Sequence, residues 1–271
     1  MSDPRPLTFL SDYGLDDEFA GVCRAVISQI APEALVVDLG HGIGRQDVLQ
    51  GAVALANALP FCSPGIHLAV VDPGVGSARR GVAVQLADQN RVLVGPDNGL
   101  FSLAIDRLGG ATEAVDLGDS PFRLEPVSAT FHGRDIFAPV AAHLSMGARL
   151  EEAGKPLDPA ELIGIDLPRT EVSAGKATTH CLYVDHFGNA TLDLGARQIS
   201  DWQLEAGVEL ELTAPDGEFR AIWANTFADA EPGDLLLFED SSGSLALAAN
   251  GGDAAALLAL EPRGRVEIAA P

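Results

Sequence analysis

The sequence predicts a two-domain protein: an α/β N-terminal domain with a largely parallel, Rossmann-like sheet, then an all-β barrel or sandwich. Three observations carry this. Short apolar runs alternate with helical-period stretches through the first half of the chain. Several of those runs end in or near an aspartate. In the second half only short strand-like segments remain, separated by Gly-, Pro- and Asp-containing turns. The expected division is 1–169 and 170–271, with the boundary in the polar stretch Pro168 to Lys176.

The elements follow in order. Leu7 to Ser11 is an apolar run ending in Asp12. Phe19, Val22, Val26 and Ile30 recur at helical spacing, with Cys23 and Ile27 widening the stripe. Ala34 to Val37 reads as a buried strand ending in Asp38, and Val48 to Leu59 as a helix that Pro60 helps to stop. Ile66 to Val71 is a strand ending in Asp72. Gly81 to Leu86 and Arg91 to Val94 are further strands, the second running into the turn Gly95-Pro96-Asp97-Asn98-Gly99. Leu100 to Leu108 and Ala138 to Leu144 read as helices. The later strand candidates are Thr179 to Val184, Val208 to Thr213, Phe219 to Trp223, Leu235 to Phe238, Leu245 to Ala248 and Val266 to Ala269. In Val208 to Leu212, apolar residues alternate with Glu209 and Glu211, as a half-buried strand requires.

Composition narrows the classes of function. Of 271 residues, 47% are hydrophobic and 21% charged, a globular balance. No stretch reaches the roughly 20 apolar residues of a membrane span. The N-terminal segment lacks signal-peptide anatomy, so a cytoplasmic protein is expected. A net charge of −22 repels phosphate backbones and anionic membranes, so neither nucleic acid nor membrane is an expected partner. Cys23, Cys62 and Cys181 are far apart and odd in number, which fits core fillers better than disulfides or a zinc site.

Ligands of open α/β sheets bind beyond the carboxyl ends of the strands, so Asp12, Asp38, Asp72 and Asp97 are candidates for a polar site. Asp72 opens the loop Asp72-Pro73-Gly74-Val75-Gly76-Ser77-Ala78-Arg79-Arg80, which is able to fold Arg79 back toward the carboxylate. A lone His132 sits in Thr130-Phe131-His132-Gly133-Arg134-Asp135. Competing motifs fail. Gly40-His41-Gly42-Ile43-Gly44 has Arg45 where a dinucleotide fingerprint needs glycine, and there is no Walker A, HExxH or GxSxG. His132 and Asp135 lack a third metal ligand.

Taken together and in order, Ser11-Asp12-Tyr13-Gly14 with Asp16-Asp17, Val71 to Gly76, Gly95 to Gly99, Phe131 to Asp135 and Asp185-His186-Phe187-Gly188-Asn189 resemble the S-adenosylmethionine hydroxide adenosyltransferases. That family is similar in sequence to the S-adenosylmethionine-dependent fluorinases and chlorinases. The resemblance spans nearly the whole chain. It implies an N-terminal α/β domain, a C-terminal β-barrel and a homotrimer with sites between neighbouring subunits. It implies that Asp72, Arg79 and His132 form a water-activating triad, with S-adenosylmethionine as substrate and no cofactor or metal. Asp12 would bind the ribose hydroxyls, and Asp17 and Asp185 the methionine ammonium. Phe187 and Phe227 would stack on adenine and Asn189 would read its edge. Tyr13, Asp97, Asn98, Phe131, Ser242 and Ala249 complete the expected substrate contacts. The Asp72 position is aromatic in the halogenases, and Ser241 to Ser244 lacks an arginine that some relatives place near the methionine carboxylate. The alternatives are a halogenase and a non-catalytic S-adenosylmethionine sensor.

Overall fold

The computed structural model describes residues 3–88 and 90–271. It divides into two compact units at Ile165–Asp166. The first contains β1 (Leu7–Ser11), α1 (Phe19–Ile30), β2 (Val36–Gly40), α2 (Val48–Ala58), β3 (Ile66–Val70), β4 (Gly81–Leu86) and β5 (Val92–Pro96). It continues with α3 (Ser102–Arg107), β6 (Ala111–Asp116), α4 (Ala138–Ser145), α5 (Leu150–Ala153) and β7 (Lys155–Leu157).

These strands form one sheet in the order β2-β1-β3-β5-β4-β6-β7. The β2-β1-β3-β5 half is parallel, and the β5-β4-β6-β7 half is antiparallel. Helices α1 and α4 cover one face, over a core that includes Phe9, Ile27, Phe137 and Val140. The other face carries α2 and α3 over Leu55, Leu59, Leu93 and Leu100. Cover on both faces explains why β1 is buried at every position instead of alternating.

One element departs from its expected environment. β2 is an edge strand, with Leu35 and Val37 exposed, not a buried one. Its Asp38 lies within the strand, paired with Arg24 at 2.6 Å and 3.2 Å from His41 Nε2, and so does not join the aspartates at the strand ends. Strands β6 and β7, at the opposite edge of the sheet, were not anticipated.

The second unit contains β8 (Glu171–Ser173), β9 (Lys176–Val184), β10 (Ala190–Gly195), β11 (Glu209–Ala214), β12 (Gly217–Ala224), β13 (Leu235–Glu239), β14 (Ser244–Ala249), α6 (Ala254–Leu257) and β15 (Arg265–Ala269). The order β10-β14-β13-β12-β11-β15-β9 closes through a β10–β9 pairing, giving a seven-stranded barrel with β8 outside it on β9. All the barrel pairings are antiparallel except β12–β13, which needs a crossover through 225–234. The β11 pattern places Leu210, Leu212 and Ala214 inside and Glu209, Glu211 and Thr213 outside, as its alternation predicts. Cys23 and Cys181 are buried and Cys62 is half-buried; all are free thiols. Among the described residues no helix is long and apolar enough to cross a membrane.

Candidate active site

Parallel pairing of β1 with β3, Ser11 opposite Val70, brings the ends of two neighbouring strands together. Asp12 N–H donates to Val70 C=O at 3.4 Å. Asp12 and Asp72 therefore emerge side by side at the carboxyl edge of the sheet. They line a cleft of ≈330 Å³ together with Tyr13, Asp17, Phe19, Arg45, Gln46, Val75, Thr130, Phe131, His132 and Gly133.

The loop after β3 folds as its composition suggests. Ser77 N–H donates to Gly74 C=O at 3.0 Å and its hydroxyl to the same oxygen at 2.7 Å, tightening the turn. Gly76 has φ +76°, and a Cβ there would strike the Ala129 carbonyl, so both conformation and space demand glycine. The turn brings Arg79 back onto Asp72. Arg79 Nε donates to Asp72 Oδ1 at 2.8 Å, and Nη2 donates to Oδ2, a bidentate pair. Their side chains are only 10% and 7% exposed. The Phe137 ring lies 5.1 Å from the guanidinium carbon.

Arg79 Nη2 also lies 2.9 Å from His132 Nδ1. A guanidinium only donates, so Nδ1 accepts and the hydrogen of the neutral ring sits on Nε2. Burial, and then the Arg79 charge, hold the His132 pKa below its ordinary value, against Asp72 and Asp135 acting the other way. The ring is therefore neutral at pH 7. Asp12 is displaced oppositely: burial raises its pKa, opposed by the N–H of Gln46, which donates to Asp12 Oδ2 at 2.9 Å. Gln46 holds φ 61° to make that bond. Arg45 and Gln46 were missed as site residues. They follow the glycine-punctuated segment Gly40–Gly44 directly, and nothing local in the sequence ties them to Asp12, which lies more than 30 positions earlier.

A separate cavity of ≈570 Å³ shares His132 with the cleft and is lined by Arg79, Arg80, Arg123 and Glu125. Asp97 and Asn98 line neither space. Asp97 is buried, paired with Arg80 at 2.8 Å and accepting from Ile163 N–H at 2.8 Å. Asn98 donates to Val71 C=O at 2.8 Å and accepts from Leu100 N–H. Both side chains brace the loop that follows β5.

The remaining sequence-derived candidates converge in the second unit. Asp185, Phe187, Asn189, Phe227, Ser242 and Ala249 line one cavity of ≈900 Å³, joined by Tyr183, Thr191, Asn225, Thr226 and Asp240. Asp185 organises its loop: Oδ1 accepts from the N–H groups of Phe187 and Asn189 at 2.8 and 2.9 Å, and Oδ2 from the Asn189 amide at 2.9 Å. Asp240 shapes the Ser241–Ser244 turn through the N–H groups of Ser242 and Ser244. Phe187 is 75% and Phe227 44% exposed, with Phe227 resting on Phe238 at 5.2 Å between ring centres. Phe227 is thus not ordinary core. Among the described residues no group of three or more His, Cys, Asp or Glu converges in a way that would hold a metal ion.

Residues 7–154 match the SAM hydroxide adenosyltransferase N-terminal domain and residues 179–267 its C-terminal domain. The chain is 42% identical to the (R)-S-adenosyl-L-methionine hydrolase of Salinispora tropica, over 98% of this chain and 99% of that protein. The fluorinase of Actinopolyspora mzabensis is 28% identical over 92% of this chain and 93% of its own length. A crystal structure of a conserved protein from Thermotoga maritima superposes with a TM-score of 0.90 at 32% identity, covering 97% of this chain and 99% of that one. The two domain matches and the near full-length similarity establish that the chain belongs to the SAM hydroxide adenosyltransferase family.

Proposed function

We propose that the protein hydrolyses S-adenosyl-L-methionine by attack of water at ribose C5′, giving adenosine and L-methionine. The observation that carries this is the Asp72–Arg79–His132 hydrogen-bonded set, whose Asp72 and His132 line a polar cleft, in a chain of this family whose nearly full-length relative is named for that hydrolysis.

The chemistry divides simply. The C5′–O bond forms, the C5′–S bond breaks with its electron pair leaving on sulfur, and water loses one proton. The departing thioether is neutral and needs no acid. His132 has its Nδ1 lone pair committed to Arg79, so as held it donates through Nε2 instead of accepting. Asp72 is the acceptor that remains. Each of its oxygens takes one bond from Arg79 and keeps another lone pair. A carboxylate is a weak base, but the water oxygen becomes strongly acidic as the C5′–O bond forms, so a weak base in place suffices. Arg79 fixes the carboxylate, and holding the water in line supplies several kcal/mol of positioning.

In this reading Asp12, whose carboxylate keeps lone pairs beyond the bond from Gln46, binds ribose hydroxyls, and Asp17 faces the ammonium. Phe187 and Phe227 offer exposed rings to adenine, and the Asn189 carbonyl and second amide hydrogen read its edge. Asp185 shapes this loop and retains lone pairs for the ammonium. Each cavity holds part of a site for one ligand, and we propose that the parts combine between neighbouring subunits of a homotrimer. Full activity of a solution monomer would rule out that arrangement.

The test is incubation with S-adenosyl-L-methionine followed by chromatography. Adenosine and methionine in equal amounts are expected. A 5′-halo-adenosine in the presence of halide would mark a halogenase, and unchanged ligand despite binding would mark a sensor.

A further inference from the structure

Gly133 opens the π-helical turn Gly133–Phe137 with an unexceptional backbone. Conformation does not require glycine there; space does. A Cβ built on Gly133 would collide with the Tyr13 hydroxyl, while the Tyr13 Cζ and Cε2 atoms would lie 3.1 and 3.4 Å away. The Cζ contact is tight and would need the ring to give by a few tenths of an ångström, whereas the hydroxyl oxygen is an outright obstacle.

The Tyr13 ring is held firmly. It packs against Phe9 at 6.4 Å, Phe19 at 5.9 Å and Phe131 at 5.8 Å between ring centres. Upstream, Ser11 Oγ accepts from Tyr13 N–H at 3.3 Å and meets His41 Nδ1 at 2.7 Å, and Gly14 N–H donates to His41 C=O at 2.7 Å, so the loop bearing Tyr13 is clamped from both sides. Among the described residues the hydroxyl has no hydrogen-bond partner. Tyr13 lines the same cleft as Asp72 and His132. Burial above all, with Cys23, Asp12 and Asp72 adding to it, raises the phenol's pKa, so the group stays a neutral hydroxyl able both to donate and to accept.

We propose that the Tyr13 hydroxyl hydrogen-bonds the attacking water beside Asp72, and that residue 133 is glycine to leave that hydroxyl its place. The inference rests on the hydrolase reading above. A water molecule about to attack keeps one lone pair for C5′, and its other hydrogen-bonding positions must be fixed by the protein if its direction is to be fixed. Asp72 takes the proton to be lost, and Tyr13 supplies a second, rigidly mounted contact. Tyr13 is in this view no general base, since the phenol remains protonated throughout.

The test is a double-mutant cycle on the full chain, with kcat and KM for S-adenosyl-L-methionine measured separately and folding followed by circular dichroism. Tyr13→Phe keeps the ring and removes the oxygen. It is expected to lower kcat roughly tenfold, the value of one well-placed hydrogen bond, with KM changed by less than about threefold. Gly133→Ala alone drives the hydroxyl out of place and lowers kcat at least as far. In the Tyr13→Phe background the same Gly133→Ala change meets no hydroxyl, so its further cost shrinks to about threefold or less. Wild-type kcat in Tyr13→Phe would overturn the proposal. So would a Gly133→Ala cost that is equal in both backgrounds, because that would place the glycine requirement elsewhere. An inactive wild-type protein would instead overturn the hydrolase reading itself.

Discussion

The cleft of the α/β unit and the cavity of the barrel use carboxylates in opposite ways. In the cleft, Asp72 is nearly buried and held by a guanidinium through side-chain bonds. In the barrel, Asp185 and Asp240 spend their oxygens mainly on backbone N–H groups of their own turns. The first arrangement fixes a charge and leaves it facing a cleft. The second uses charge to fix loop shape and leaves aromatic rings exposed. A charge held rigidly in a partly dry site is the requirement for orienting a reacting water. Exposed, loop-mounted rings are the requirement for gripping a flat heterocycle. On the proposed reading the reacting groups belong to the first unit and the adenine contacts to the second, and substitutions should divide along the same line.

The largest expected effect is Asp72→Asn. The substitution is nearly isosteric, yet it removes the proposed proton acceptor and leaves Arg79 facing a neutral amide. Turnover should fall roughly 10²-fold or more. Affinity should fall far less, because the proposed anchors at Asp12, Asp17 and the barrel cavity remain. Breaking a buried pair also costs stability, so thermal unfolding must accompany calorimetric titration and product chromatography. Parallel loss of binding and turnover in a folded variant would move Asp72 to the recognition side. Wild-type adenosine release would remove it from the mechanism.

An intermediate effect is expected in the pH profile. His132 serves Arg79 as an acceptor only while neutral. Its folded-state pKa lies below the ordinary histidine value of about 6.5. The neutral ring is therefore fully present above that value, and its contribution is lost as pH falls through the depressed folded pKa. Turnover at saturating substrate should be level above pH 7 and decline only below about 6.5. The facing groups are Arg79, which favours neutrality, and Asp72 and Asp135, which oppose it. His132→Gln should lower the plateau roughly tenfold and flatten this limb, since a glutamine does not titrate. An unchanged limb in that variant would assign the titration to another group.

Much of this division was legible in the sequence, for a physical reason. The loop from Asp72 to Arg79 is short and glycine-punctuated, so the two residues are held together by local chain geometry. Asp185, Phe187 and Asn189 share one turn in the same way. What was not legible depended on longer range. The Asp97 carboxylate is held by Arg80 and by the N–H of Ile163, which the chain reaches only after α3, β6, α4, α5 and β7. The edge position of β2, and with it the exposure of Val37, follows from strand order, which an apolar run does not encode. Strand β10 follows directly on the Asp185–Asn189 motif, whose turn residues mask its start. The tolerance of residue 133 is set by a hydroxyl 120 positions earlier in the chain, a contact visible only once the fold exists.

The smallest effect expected is on the barrel side, where it also tests the contrast most sharply. Phe227 and Phe187 are exposed to degrees unusual for phenylalanine, yet both line the ≈900 Å³ cavity. If they stack on the adenine, removing either ring should weaken binding without touching the reacting atoms. Alanine substitution at a base-stacking aromatic costs on the order of 1–3 kcal/mol, so KM should rise roughly tenfold for Phe227→Ala with kcat nearly unchanged. Phe187→Ala should cost less, because its ring is more exposed, meeting the His186 ring at 5.8 Å, whereas Phe227 is backed by Phe238 at 5.2 Å. Neither change should alter stability much, since both rings already meet solvent. Steady-state kinetics beside thermal unfolding decides the matter. A fall in kcat at unchanged KM would put the barrel into the chemistry and dissolve the division of labour. A loss of folding stability in Phe227→Ala with unchanged KM would return that ring to the role of a partly exposed core residue.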